Sequence, residues 1–308
     1  MITQNIIVGE GTQYPLKGML TLPDDLSRPV PAVVFVHGSG SSNMDEKVCK
    51  LTPFKDLAEG LAQKGIASLR YDKRSFAHAF KLLKEKELTV RQETVEDAVL
   101  AAKLLKQHLN IDPEKVFILG HSMGGMLSPR IDAEGGDFRG LILLAGSPRK
   151  LEEILLEQTR EMMELSNPLM RRILAKQLAA YEKTFAGLYT MSEEETKGKR
   201  FGGGTTLYYF REMGDRPVSR YLENLTKPIL VMQGGKDFQV KADVDFAMYK
   251  ELLSDHPDAA FRLYDDLNHC FVPSVYGRID KAKQEYAVEQ HIGDDVISDM
   301  ADWIHRHC

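Results

Sequence analysis

The chain has 308 residues, 43% of them hydrophobic and 28% charged, which suits one large α/β domain with an insertion, or two small domains. Its formal net charge of −5 gives no reason to expect nucleic acid or an anionic membrane as partner. No apolar run approaches the ~20 residues of a membrane helix, and the start MITQNIIVGEGTQYP lacks the basic and apolar regions of a secretory leader, so a cytoplasmic protein is expected.

Cys49, Cys270 and Cys308 are an odd set without paired spacing and read as free thiols of a reducing compartment. No Cys/His cluster has zinc spacing, so no metal is expected.

Asn5–Val8 and Leu16–Leu22 are β-patterned and read as an antiparallel pair at a sheet edge. Ala32–Val36 is a continuous apolar strand of the kind buried on both faces of a parallel sheet. It runs into the loop His37-Gly38-Ser39-Gly40. Phe54–Lys64 has helical spacing and stops at Gly65. Ile66–Tyr71 is the next strand, and Thr94–Leu109 is an amphipathic helix with Val95, Ala98, Val99, Ala102 and Leu105 on one face. Asp112-Pro113 should turn the chain into the strand Val116–Leu119, and Leu141–Leu144 is another buried strand. The alternation predicts a mostly parallel sheet with helices on both faces, with its site at the carboxyl ends of strands.

The alternation breaks at about Pro148. Between there and about Leu225, Leu151–Leu165 and Leu169–Phe185 are helical in period, Ser192–Arg200 is a charged stretch, and Gly202-Gly203-Gly204 reads as flexible. Residues 148–225 are therefore expected to form a helical cap inserted into a core of 1–147 and 226–308. The Met and Tyr residues of this segment are either its own core or the soft lining of an adaptable pocket. The sheet pattern then resumes with Ile229–Gln233, a helix at Val240–Leu253, a short strand at Ala260–Tyr264, a polar segment from Pro273 to Gln290 and a terminal helix at Val296–His305.

The sharpest local signal is Gly120-His121-Ser122-Met123-Gly124 after a buried strand and before a helix, the context in which G-x-S-x-G forms a nucleophile elbow. Composition alone produces that pentapeptide about 0.1 times in a chain of this length, so its weight comes from its partners. A serine hydroxyl needs a base, and the base needs an orienting acid. Asp237 directly follows the Ile229 strand and His269 follows the last short strand, giving the order Ser, Asp, His with all three at strand ends. The backbone N–H groups of Met123 and Ser39 are the expected donors to a developing oxyanion.

Asp237 also suits the N-cap of the following helix, and Asp265 and Asp266 are rival acids disfavoured by their closeness to His269 in sequence. His37 and His121 are expected to shape their loops through hydrogen bonds, Asp72 and Arg74 to brace the loop region, and Cys270 to pack. The HGSG glycines lack the lysine pattern of a phosphate-binding loop, so nucleotide binding is disfavoured.

HGSG, RYDKR, GHSMGG, QGGKD and LNH together resemble the α/β-hydrolase superfamily across nearly the whole chain, and within it the carboxylesterases of the dienelactone-hydrolase-like branch. The resemblance implies Ser122 as nucleophile, Asp237 as acid and His269 as base. It further implies hydrolysis of a small-molecule ester through an acyl-enzyme with no cofactor, under a helical cap. The moderate length and many charges of residues 148–225 lead to an expectation of short to medium acyl chains. Thioester hydrolysis, aminopeptidase-like amide hydrolysis and acyl transfer share the triad and stay open, as does a homodimer. A non-catalytic ligand-binding relative is the remaining alternative.

Overall fold

The computed structural model describes residues 1–201 and 204–308, so Gly202 and Gly203 of the expected glycine stretch lie outside the described residues. Eight strands form one sheet: β1 (Ile2–Val8), β2 (Leu16–Leu22), β3 (Val30–Val36), β4 (Ala67–Tyr71), β5 (Ile111–His121), β6 (Leu141–Leu144), β7 (Ile229–Gly234) and β8 (Ala259–Tyr264). Their spatial order is β1-β2-β4-β3-β5-β6-β7-β8. The first two strands pair antiparallel at the edge, as their alternating pattern predicts, and β2 meets β4 antiparallel. Every pairing from β4 through β8 is parallel.

The continuous apolar run of β3 has a direct physical outcome. Val34 and Val36 pack into the core on one face of the sheet, Val33 and Phe35 into the core on the other, and all four are fully buried. The first core is roofed by α4 (Glu96–Lys106) and α5 (Met123–Ile131), the second by α1 (Pro53–Gln63) and the terminal α13 (Asp294–Arg306). Helix α4 begins with Glu96 and Asp97 and ends with Lys103 and Lys106, and α13 begins with Asp294 and Asp295 and ends with His305 and Arg306, so both complement their dipoles.

Several boundaries depart from the sequence expectation. Asp112-Pro113 does not precede the strand but lies in a bulge of it, because Val30 pairs with Ile111 and Ala32 with Val116; a bulge tolerates the missing proline N–H. Two short helices, α2 (Arg74–Ala77) and α3 (Ala79–Leu82), follow β4. The helix expected from Thr94 begins earlier, with a wide turn at Arg91–Val95.

Among the described residues, five helices lie between β6 and β7: α6 (Leu151–Leu165), α7 (Pro168–Ala186), α8 (Glu193–Gly198), α9 (Leu207–Gly214) and α10 (Val218–Leu222). Helix α8 occupies what reads as a charged stretch, and its start is a capping box in which Ser192 and Glu195 satisfy each other's backbone N–H. The segment's own small core is Phe185, Leu188, Leu207 and Phe210. Its Met and Tyr residues divide: Tyr181 and Met191 flank that core, Tyr209 and Met213 are buried in the main core, and Met170 is exposed.

After β7 a wide turn at Ala242–Phe246 leads into α11 (Ala247–Leu252), and α12 (Ala282–Tyr286) interrupts the expected polar segment. Among the described residues no helix is long and apolar enough to cross a membrane.

Candidate active site

β5 ends at His121, α5 starts at Met123, and the whole reversal falls on Ser122, whose φ of 53° and ψ of −118° are strained for a residue with a side chain. The strain persists because the backbone around it is fixed. The Ser122 N–H donates to Leu144 O at 2.8 Å, and its carbonyl accepts from the Met126 N–H at 3.1 Å. The flanking glycines are required by contact: a Cβ on Gly120 would lie 2.1 Å from Gly124 O, and one on Gly124 would lie 2.1 Å from Val36 O. Strand and helix therefore meet closely enough to push the serine out at the carboxyl end of the sheet.

Asp237 sits in the turn after β7, with its carboxyl group out of solvent. Its Oδ2 accepts from His269 Nδ1 at 2.7 Å and from Gln233 Nε2 at 2.9 Å. Its Oδ1 accepts the backbone N–H groups of Gln239 at 2.8 Å and Val240 at 2.9 Å. With Nδ1 as donor, the neutral His269 ring keeps Nε2 as its acceptor. The rival acids are elsewhere: Asp265 and Asp266 are exposed, and Asp266 pairs with Lys236 at 2.7 Å. Ser122 and His269 line one cavity of about 180 Å³. Among the described residues no hydrogen bond joins Ser122 Oγ to His269, a bond that in unliganded sites often tightens only with substrate.

Ser39 and Met123 share with Ser122 the wall of a smaller cavity of about 50 Å³. The approach of the Ser39 loop to the elbow is close, since a Cβ on Gly38 would lie 3.1 Å from Ser122 Cβ. The loop is tethered by a residue that carries no signal in the sequence: Glu46 Oε1 accepts the Gly38 N–H at 2.8 Å. Glu46 Oε2 meets His121 Nδ1 at 2.9 Å, in a geometry too bent for a full hydrogen bond. His121 Nε2 donates to the His269 carbonyl at 2.9 Å. Both ring nitrogens of His121 thus face acceptors. Burial alone would depress this imidazole, but the Glu46 carboxylate outweighs it and leaves the pKa raised. Burial likewise pushes Glu46 up, and the His121 charge overcomes this and holds it below the ordinary range. His37 is different: burial dominates and lowers its pKa, and its Nε2 donates to Tyr71 O at 2.5 Å. Both flanking histidines therefore shape loops, as the sequence suggests.

Asp72 and Arg74 brace as expected. Asp72 Oδ1 accepts the Met44 N–H at 2.8 Å, and Arg74 grips buried Asp97 through two nitrogens at 3.0 and 2.5 Å. Cys270 is buried in the core, and burial raises its thiol well above the ordinary range, so it packs as a small apolar group. The base loop has a further tether absent from the sequence reading. Fully buried Glu285 accepts from Asn268 Nδ2 at 3.0 Å and Ser274 Oγ at 2.9 Å.

The helices between β6 and β7 reach the site. A cavity of about 640 Å³ lies between Ser39 and Met123 on one side and Leu151, Leu155, Tyr209 and Phe210 on the other. Leu151 and Leu155 also wall the small cavity at Ser122, so the two spaces adjoin. Ion pairs fasten this segment to elements that flank the sheet: Arg149 to Asp245 of the turn before α11 at 2.7 Å, and Glu212 to Arg130 of α5 at 2.5 Å. Among the described residues no group of three or more His, Cys, Asp or Glu is arranged to hold a metal ion.

Residues 27–272 match the model of a family described as serine aminopeptidase, S33. Esterase EstD of Thermotoga maritima is 35% identical over 289 residues, which cover 94% of this chain and 65% of that protein. The chain thus spans about two thirds of that relative's length. Among solved structures, Est1E of Butyrivibrio proteoclasticus aligns over 98% of this chain and 99% of its own at a TM-score of 0.56 and 14% identity. A Pyrococcus furiosus esterase, Pf2001, aligns over 99% of this chain and 91% of its own at a TM-score of 0.58 and 14% identity. At such identity these two structures speak to the fold alone.

Proposed function

This chain belongs to the serine aminopeptidase S33 family of α/β-hydrolases, and from that premise we propose that it is a serine carboxylesterase acting through an acyl-enzyme. The observation that carries the proposal is Ser122 held at a φ of 53° on a strand-to-helix elbow, sharing a cavity with the Asp237-paired His269. Ser122 Oγ attacks the ester carbonyl while His269 Nε2 takes its proton. Asp237 fixes the ring with Nδ1 protonated and stabilises the imidazolium that forms. The Ser39 and Met123 N–H groups receive the oxyanion. His269 then protonates the leaving alcohol, and water repeats the sequence to release the acid. No cofactor enters this scheme.

Residues 148–225 act in this reading as a cap over the acyl pocket. Its small proximal cavity and larger adjoining one suit short- to medium-chain acyl groups. The name of the 35% identical relative supports ester over amide substrates, while the family description keeps aminoacyl amides as the second reading. Three free thiols agree with a reducing cytoplasm as its location. A fluorophosphonate probe and a panel of p-nitrophenyl esters, thioesters and aminoacyl amides test the proposal together. Stoichiometric labelling at Ser122 with ester turnover foremost is the expected result; labelling with amides foremost moves the chain to the peptidase reading, and no labelling removes the enzyme reading.

A further inference from the structure

We propose that Lys73 is a positioning residue of the oxyanion hole, orienting the Gly38–Ser39 peptide so that the Ser39 N–H faces the reacting oxygen. The proposal rests on the serine esterase reading above. Lys73 directly follows Asp72 at the end of β4 and is 2% exposed. A buried ammonium is unfavourable unless its charge and donors are used. Here Nζ donates to Gly38 O at 2.8 Å and lies 3.7 Å from Glu93 Oε1. The backbone N–H of the same residue donates to Ser42 O at 3.0 Å, so Lys73 holds the Ser39 loop on both sides.

The Gly38 carbonyl and the Ser39 N–H belong to one peptide unit. In a trans peptide they point in opposite directions, and all peptides among the described residues are trans. A donor fixed on the carbonyl therefore fixes the direction of the N–H. The ammonium also polarises that peptide, which strengthens the N–H as a donor to a negative oxygen more than to a neutral carbonyl. At the other side of Gly38 its N–H is held by Glu46. The peptide before Ser39 is thus clamped by a cation at its oxygen and an anion at the preceding nitrogen.

The clamp extends to the inserted helices. Glu93 accepts from Tyr209 Oη of α9 at 2.6 Å. Burial pushes the Glu93 carboxyl up, but the Lys73 ammonium and its hydrogen bonds outweigh this and hold it below the ordinary range, as an anion. Ser39, Glu93 and Tyr209 all face the same large cavity.

The test compares Lys73→Met, which keeps the stem but loses donor and charge, with Lys73→Arg, which keeps both. Thermal melts, kcat and KM for p-nitrophenyl butyrate, and the affinity of a trifluoromethyl ketone are measured, with Ser122→Ala alongside. The ketone's adduct places an oxyanion in the hole. Lys73→Met should lose about 10- to 100-fold in kcat with KM within about twofold, ketone affinity should fall in parallel, and Lys73→Arg should restore most of both. Lys73→Leu, which likewise lacks donor and charge, gives the same reading should the methionine variant fail to fold. A folded neutral variant with wild-type kcat and ketone affinity overturns the proposal, as does an arginine variant no better than the neutral one. Absent wild-type ester turnover, or full turnover by Ser122→Ala, would instead sink the esterase reading beneath it.

Discussion

Asp237 serves His269 with one carboxylate oxygen, at 2.7 Å, and the turn after β7 with the other, at 2.8 and 2.9 Å to two backbone N–H groups. The two roles that its sequence position suggests are therefore not alternatives. Holding the N–H groups of Gln239 and Val240 in that turn also delays the following helix, which winds only from Ala242.

The dual role predicts an asymmetric result among the acids. Asp237→Asn should lose on the order of 10³- to 10⁴-fold in kcat, because an amide no longer fixes the His269 tautomer. Asp266→Asn, at an exposed group paired with Lys236, should stay within about twofold of wild type. Ester turnover by the purified variants checks this, and the reverse order would move the acid to the base loop.

Contact rather than backbone freedom governs the elbow glycines. Gly120→Ala sets a Cβ 2.1 Å from Gly124 O, which no side-chain rotation relieves. It should destabilise by about 3 kcal/mol or more. Gly65→Ala, at a φ of 80° with nothing within 4 Å of the new Cβ, should lose only about 1 kcal/mol. Chemical denaturation of both variants gives the comparison; equal losses would show that the close approach of β5 and α5 is dispensable.

The Glu46–His121 pair makes stability depend on pH. His121 is raised above its ordinary 6.5, so its contribution is complete below that value and is lost as pH rises through the elevated one. Glu46 is held below its ordinary 4.5, so its contribution is present above that value and is lost as pH falls through the depressed one. The pair should thus stabilise fully between these two ordinary values and fade on the alkaline side. Glu46→Gln should cost on the order of 3 kcal/mol near pH 6, by leaving a buried imidazolium without its partner. Melting curves from pH 5 to 9 read the difference between wild type and variant, which should shrink above neutrality; a difference that grows with pH contradicts the charged pair.

Leu155 walls both the small cavity at Ser122 and the large one beyond it. Leu155→Trp should close the passage and lower kcat/KM for p-nitrophenyl octanoate about tenfold or more relative to acetate. An acyl series from acetate to decanoate checks it, and an unchanged profile would place the acyl group elsewhere.

The strands, and Ser122, Asp237 and His269 at strand ends, were legible because each is a local pattern: an apolar run, a glycine turn, a polar residue at a strand end; the spatial order of the strands, with β4 between β2 and β3, was not. Glu46, Lys73 and Glu93 were not. Lys73 reads as one charge among three in Asp72-Lys73-Arg74, and Glu46 as part of a polar loop, because Lys73 meets Gly38 and Glu93, and Glu46 meets His121, only once the chain has folded. The capping box at Ser192 was visible in principle, but a run of acidic residues hid it. Met170, soft and apolar, reads as core or pocket, yet it faces solvent on α7.

The central claim is that Ser122 is the nucleophile of an ester hydrolysis, and its most direct test is p-nitrophenyl butyrate turnover by Ser122→Ala against wild type. The account predicts clear wild-type turnover and a loss on the order of 10⁶-fold in the variant, which keeps the fold but not the attacking oxygen. Turnover by the alanine variant at a substantial fraction of the wild-type rate would contradict it.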